Sequence, residues 1–255
     1  MPQPAPSDET PFNATDIASA ILLAAAGGLT DAVVYIDHGH VFANAMTGNV
    51  IFLGIAAVGH DWQQVLRHTI PIVAFFFGVV AARLIHNAPI RRAAPIVLAL
   101  EAAALFFIGL LPAGFPQLAF TGVIAFVSAF QVATFRHVGR FTYNSTFITG
   151  NLRMVAEGFF DWLFSPFSES RSKGRAQAWK LAAINAGFLL GAICGAAIAP
   201  HFPVHAILFT EPPLLAALVL VLSSPGGHAQ PSMQPSKMRL HVRSPRRTRP
   251  PQPGS

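Results

Sequence analysis

The sequence predicts an all-α membrane protein: six transmembrane helices plus two short re-entrant or broken helical segments, arranged as two inverted-topology repeats. Three observations carry that expectation. The 255-residue chain is 53% hydrophobic and only 11% charged, with a mean hydropathy of +0.50, whereas a soluble domain carries about 25% charged residues. Its apolar residues come in blocks near the length a bilayer asks of a helix, about 20 residues. One polar triplet, Thr-Gly-Asn, stands twice inside such blocks, at 47–49 and again at 149–151.

Taken in order, residues 1–16 are Pro-rich and contain no Lys or Arg. They lack the positive start of a secretory signal, so the first apolar helix is expected to be retained behind a disordered N-terminus, with Asn13 or Thr15 as its N-cap. Apolar segments follow at 17–36, 42–59, 69–86 and 94–111, together a first membrane repeat over 17–111. A linker, 112–116, leads to segments 117–135, 146–164, 180–199 and 204–222, a second repeat over 117–222. Breaks fall at "HDWQQ", "HNAPIRR", "LPAGFPQ", the long "SPFSESRSKGRAQAW" and "PHFP". Residues 223–255 are low-complexity Pro, Ser and Arg, and are expected to be a disordered tail.

The repeat rests on matches that keep their order. Gly28-Leu29-Thr30-Asp31 answers Ser128-Ala129-Phe130-Gln131, and the two Thr-Gly-Asn triplets answer each other. Asp61-Trp62 answers Asp161-Trp162, and "FFFGVVAA" from Phe75 answers "FLLGAICG" from Phe188. Internal repeats of this kind are a signature of transporter folds. Gly191 and Gly195 give a small-xxx-small face suited to helix contact.

Charge placement decides how many segments cross. Eleven Lys/Arg and eleven Asp/Glu cancel over residues 1–222, so the net +6 sits entirely in the tail, on Lys237, Arg239, Arg243, Arg246, Arg247 and Arg249. With that tail in the cytoplasm, eight spans would put Arg83, Arg91, Arg92, Arg136 and Arg140 outside. If 42–59 and 146–164 enter without crossing, six spans remain and only Arg67 is left outside, as the positive-inside bias prefers. Arg153 with Glu157 also argues against a lipid-facing span, because a charge at the helix centre costs about 2.5–3.5 kcal/mol on the insertion scale. Each repeat then holds three spans, an odd number, and the copies lie in opposite senses. Both termini are expected in the cytoplasm.

The polar positions inside these segments are the candidate site. Thr47 and Thr149 read as N-caps, Gly48 and Gly150 as points of close backbone approach, and Asn49 and Asn151 as paired donors and acceptors. A helix N-terminus favours an anion or carbonyl oxygen; the plainer role is capping and packing. Asp31, inside a span, marks a functional position by default, and Gln131 is its neutral counterpart. Arg153 and Glu157, spaced i,i+4, form a gate or a structural ion pair. Glu101 is placed to snorkel toward the cytoplasmic interface. His38, His40, His60 and His68 read as residues of the outer interface.

"GGLTDAVVY", "FANAMTGNVIFLG" and "TFITGNL" resemble the YoaK-like family of bacterial membrane proteins, a domain of unknown function, over roughly residues 17–222. The chain departs from that family's second-repeat pattern at Ser128 and Val132, where a Gly and an Asn are usual. The resemblance implies residence in the bacterial inner membrane and supplies no activity.

No nucleophile elbow, phosphate loop or zinc signature is present, and a lone cysteine, Cys194, excludes an internal disulfide. Neither an enzyme, a cofactor nor a metal site is expected. The basic tail suits anionic lipid headgroups rather than nucleic acid, since no groove-reading motif accompanies it. The expected function is a small secondary transporter or permeation protein for a small solute, with Asp31, Asn49, Gln131 and Asn151 lining a midplane site. The alternative is a scaffold or sensor that works through its basic tail. A homodimer is compatible with so small a membrane body.

Overall fold

The computed structural model describes residues 14–88, 93–135, 137–138, 141–142, 145–203 and 205–223. The proposed N-cap Asn13, the basic residues Arg91, Arg92, Arg136 and Arg140, and the tail beyond Ser223 lie outside the described residues. Among the described residues eight α-helices carry the fold: α1 Ala14–Asp37, α2 Met46–Val58, α3 Trp62–Asn87, α4 Ala93–Gly109, α5 Gln117–Thr134, α6 Ile148–Phe164, α7 Ser168–Ile198 and α8 Glu211–Ser223. A two-residue antiparallel pair, β1 His137–Val138 and β2 Phe141–Thr142, interrupts the run between α5 and α6. Single 3₁₀ turns at Ala199–His201 and Ala206–Thr210 connect α7 to α8.

The apolar blocks coincide with these helices except at three starts, α7 and α3 beginning early and α8 late, after the Ala206–Thr210 turn. α7 begins at Ser168, well before the expected 180, so "SESRSKGRAQAW" is helical rather than loop. Hydropathy is blind to a polar helix; this one is held by an i,i+4 contact of Lys173 with Glu169 and by Gly158 of α6 seating against Gly174. α3 begins at Trp62 because Asp61 caps it, its side chain accepting from the Gln64 N–H at 3.1 Å.

Among the described residues five helical segments are long and apolar enough to cross a membrane: α1, α3, α5, α7 and the 206–223 segment that contains α8. α4, at 17 residues, stands at the lower limit of the usual range of about 17–25. α2 has 13 residues, about 20 Å of helix, too short for a hydrocarbon core of about 30 Å. α6 is amphipathic, exposing Leu152, Phe160 and Phe164 together with Arg153 and Glu157.

Burial sorts the helices. α1 and α5 are the most enclosed of the long spans, and α3 and α7 keep most of their surface outward. The main core, with Leu23, Leu98, Leu105, Ile124 and Leu214 at its centre, is shared by α1, α4, α5 and α8. α1 packs on α7 and α8, α5 on α3 and α4, α2 on α3, α6 on α7, and α4 on α8. Close approach comes from glycine. Gly187, Gly191 and Gly195 lay the α7 backbone on α1 at Ile21, Ala25 and Leu29, and Gly78 does the same for α3 against Phe126 of α5. The small-residue face expected at Gly191 and Gly195 is therefore the α1–α7 seam.

Candidate functional site

The α1 helix ends at Asp37, and Gly39 at φ +84° turns the chain back into the molecule. That turn delivers the segment Val41–Ala45 to the side of α1. There the Asp31 carboxylate, buried within α1, accepts the Asn44 backbone N–H through Oδ1 at 2.7 Å. The Asn44 amide reaches the Gly27 carbonyl at 3.5 Å. Asp31 Oδ2 is shut off from solvent and has no hydrogen-bond partner among the described residues.

A second segment arrives at the same point from the other half of the chain. Gln131, buried on α5, donates from Nε2 to the Leu23 carbonyl of α1 at 3.0 Å and to the Ser145 hydroxyl at 2.8 Å. A Cβ on Gly27 would stand 2.7 Å from the Thr146 methyl and 3.9 Å from both the Asn44 and Gln131 amide nitrogens. Gly27 is thus the meeting point of two loops, one preceding α2 and one preceding α6. Around it lie Asp31, Asn44, Gln131, Ser145 and Thr146, all closed to solvent. Unmet polar groups in such a place cost about 1–3 kcal/mol each, and the loops remain because α1 carbonyls and the Asp31 and Gln131 side chains satisfy most of them.

The Thr-Gly-Asn triplets stand beside this cluster and do a different job. Asn49 is fully buried. Its Oδ1 accepts the Phe42 N–H at 2.9 Å and its Nδ2 donates to the Phe42 carbonyl at 2.7 Å. His68 of α3 backs the same Oδ1 at 3.4 Å and stacks on Phe52, ring centroids 5.4 Å apart. The side chain imitates a strand partner for Phe42, and its hydrogen-bonding capacity is committed. Gly48 lets the Phe42 ring lie on α2, where a Cβ would meet it at 2.7 Å, and Gly150 does so for the Phe147 ring on α6, also at 2.7 Å. Asn151 is buried as well.

The expected threonine caps are not formed. α2 has Ala45 at its N-cap and α6 has Phe147, neither with a side-chain bond. Thr47 and Thr149 lie one residue inside their helices and are exposed. The turn preceding each triplet starts its helix early: the Gly48 N–H already bonds the Ala45 carbonyl at 2.9 Å. Thr15 likewise lies inside α1. Arg153 and Glu157 pair at 3.4 Å with side chains 72% and 55% exposed, on the outward side of α6 and away from Gly27.

Sequence reasoning missed two further groups. His68 is buried rather than interfacial; its spacing from Asn49 spans two helices and leaves no local pattern. Glu101 does not snorkel: it sits in the third turn of α4, buried at 3% exposure. Of the remaining histidines, His38 stacks on Phe120 with centroids 3.9 Å apart, and burial pushes its imidazole down to about 4. With Asp37, Phe115 and Gln117 it lines a shallow crevice at one end of the bundle, separate from the Gly27 cluster. Among the described residues no three His, Cys, Asp or Glu side chains are grouped to hold a metal ion.

The chain belongs to the family described as "Protein of unknown function (DUF1275)", whose model matches residues 19–222. It is 30% identical over 151 residues to the UPF0700 transmembrane protein YoaK of Bacillus subtilis (strain 168), a match covering 56% of this chain and 67% of that one. No solved structure matches. The chain is thus a membrane protein of the DUF1275/YoaK family, with several apolar helices in contact with the bilayer.

Proposed function

We propose that the chain is a small secondary transporter or permeation protein of the bacterial inner membrane, moving a small solute past the cluster at Gly27. The observation that carries this reading is the convergence of two loops on one glycine in the apolar interior, beside a carboxylate with an unpartnered oxygen. An ionisable group within a span is costly and is kept where it serves a pathway or a relay. Irregular backbone at membrane depth is tolerated where protein buries it or where it lines a cavity. Asp31, Asn44, Gln131 and Ser145 face the solute in this reading. Asn49 and Asn151, with Gly48 and Gly150, position the loops, and Thr47 and Thr149 stand at their outer ends. Arg153 and Glu157 act as an ion pair at the rim.

Two inverted repeats are part of the proposal. Exchanging α1 with α5, α2 with α6, α3 with α7 and α4 with α8 maps the main helix pairings onto one another, α1–α7 onto α3–α5, α2–α3 onto α6–α7 and α1–α8 onto α4–α5, while the lesser α3–α4 contact has no α7–α8 counterpart of its size. Gly78 and Gly191, which correspond in the sequence repeat, make corresponding contacts on α5 and α1. With α4 and α8 completing three spans per copy, the copies run in opposite senses around a central site, a known transporter plan. Both termini then face the cytoplasm. No enzymatic step is assigned, and a homodimer suits the small body.

The test is reconstitution. A metabolite uptake screen in a deletion strain identifies the solute, and flux is then measured in proteoliposomes. Asp31→Asn is expected to abolish ion- or proton-coupled flux; flux equal to wild type removes Asp31 from the mechanism. In a Cys194→Ala background, single cysteines at positions 91 and 140 are expected to resist labelling from outside the cell; labelling there rules out the six-span topology. The six basic residues of the tail, unaccompanied by acid, favour the second reading, a scaffold or sensor. Deleting 223–255 leaves flux nearly intact in the first reading and removes the activity in the second.

A further inference from the structure

α7 is longer than a bilayer needs. Its 31 residues make about 46 Å of helix, against a hydrocarbon core of about 30 Å that about 20 residues span. Counted back from Ile198, those residues run out at Trp179, and tryptophan is a residue that marks the boundary between membrane and water. The polar first turns of α7, from Ser168, therefore stand in the headgroup layer and beyond it. This stretch is a fixed part of the fold. Gly158 of α6 packs on Gly174, and the Gln177 side chain donates to the Met154 carbonyl at 2.9 Å.

The cations of the α6–α7 hairpin divide by partner. Lys173 is held by Glu169, and Arg153 by Glu157. Lys180 is also engaged. Arg171 and Arg175 have no acidic partner among the described residues, and both are exposed. With Trp179, itself 66% exposed, they follow at i, i+4 and i+8, so the three stand one above another on one side of the helix. They run beside the buried Gly174 and Ala178 that seat α6. Arg171 is further oriented: its Nε donates to the Ser165 carbonyl at 2.7 Å, which leaves its two terminal amino groups uncommitted.

Two arginines without counter-charge, above a boundary tryptophan, call for an anion at headgroup depth. Side chains at i and i+4 lie about 5–6 Å apart at Cβ, close enough for two guanidinium groups to meet on one phosphate. The planar guanidinium matches phosphate oxygens in two-pronged geometry. The chain's own tail cannot supply the charge, because residues 223–255 hold six basic residues and no acid. The bilayer can. Arg175 stands about 6 Å above Trp179 along the helix, within the headgroup layer of about 5–8 Å.

We propose that Arg171, Arg175 and Trp179 form a binding site for an anionic phospholipid, with the arginines on its phosphodiester and the indole against the first carbons of its chains. The site ties the α6–α7 hairpin to the membrane surface and lies apart from the Gly27 cluster. It rests on membrane residence alone and stands whether or not that cluster carries a solute.

The experiment is fluorescence quenching of Trp179 in the full-length protein carrying Trp62→Phe and Trp162→Phe, reconstituted in phosphatidylcholine vesicles that contain phosphatidylglycerol. Bromine on the acyl chains of one lipid or the other reports which of them touches the indole. Brominated phosphatidylglycerol is expected to quench Trp179 well above its share of the bilayer. Arg175→Gln is expected to lower that preference by roughly fivefold, the weight of one basic residue at an anionic surface, and Arg171→Gln with Arg175→Gln to remove it. Equal quenching by the two lipids overturns the proposal, as does a preference that the double substitution leaves intact. A preference erased by inorganic phosphate at constant ionic strength overturns it too, since the site then takes a free anion. Native mass spectrometry with equal amounts of the two lipids reads the same preference with all three tryptophans in place. If no phosphatidylglycerol excess there depends on Arg171 and Arg175, the proposal fails.

Discussion

Asp31 on α1 and Gln131 on α5 occupy matching positions in the sequence, and each ties down the loop that follows its own helix. Asp31 accepts the Asn44 N–H, and Gln131 donates from Nε2 to the Ser145 hydroxyl oxygen. The difference is in what is left over. Gln131 spends a second interaction on the Leu23 carbonyl, whereas Asp31 keeps one oxygen without a partner among the described residues. The same loop-holding task is thus done once by a neutral amide and once by a group that can change charge. Holding a loop does not require an acid at this place, so the acid at 31 points to something more than architecture.

The largest effects should come from what the halves share. Gly191→Ala drives a methyl into the Ala25 carbonyl of α1, and Gly78→Ala into that of Phe126 on α5. Overpacking against backbone is expected to cost about 3 kcal/mol or more, seen as loss of monodisperse protein on size exclusion. Gly54→Ala, with open space around it, should be neutral or stabilising by up to about 1 kcal/mol. If only one of the two seams is sensitive, the structural equivalence of the halves fails.

Asn49→Ala comes next. It leaves the Phe42 N–H and carbonyl unpaired in the interior, at an expected cost of about 2–4 kcal/mol, read as a fall in melting temperature. A matching fall in Asn151→Ala would extend the loop-holding role to the second triplet; a silent Asn151 would confine it to the first.

His38 belongs to the first half alone. Its imidazole is held near 4 by burial against Phe120, below an unfolded value of about 6.5. Between those values the unfolded chain binds more protons than the native one, so stability should rise with pH through this window and be lost as pH falls toward 4. With partial exposure discounted, the effect is about 1–2 kcal/mol. Thermal melting across that range, compared with His38→Gln, checks it; an unchanged slope in the variant assigns the dependence elsewhere. The smallest effect is Arg153→Ala in the second half, about 0–1 kcal/mol for so exposed a pair. A large loss of flux without loss of stability would restore a gating role.

Most of the secondary structure was legible because hydropathy reports what a helix places in lipid, and the apolar blocks fall on the eight helices. The polar first turns of α7 were not, since their stabilisation comes from Gly158 and from Lys173 with Glu169, neither of which raises hydropathy. Asp31 and Gln131 could be picked out as polar residues in spans. Their partners could not. Asn44, Ser145 and Thr146 look like ordinary loop residues until folding brings two distant loops to Gly27. Asn49 was visible as unusual, yet its commitment to Phe42 and His68 is a tertiary fact. Glu101 was misread from its nearness to a segment end, when the direction of its side chain from α4 is what decides its surroundings.

The crossed packing has a consequence for biogenesis. α1 leaves the ribosome first, but the helix it lies against, α7, begins at Ser168. At about 5–20 residues per second, α1 waits roughly ten to thirty seconds for that partner. During the wait its glycine-notched face has only lipid, the translocon or a chaperone to meet. Neither half of the chain is then a unit of assembly, and a truncation between them should be cleared by quality control rather than yield a working half-protein.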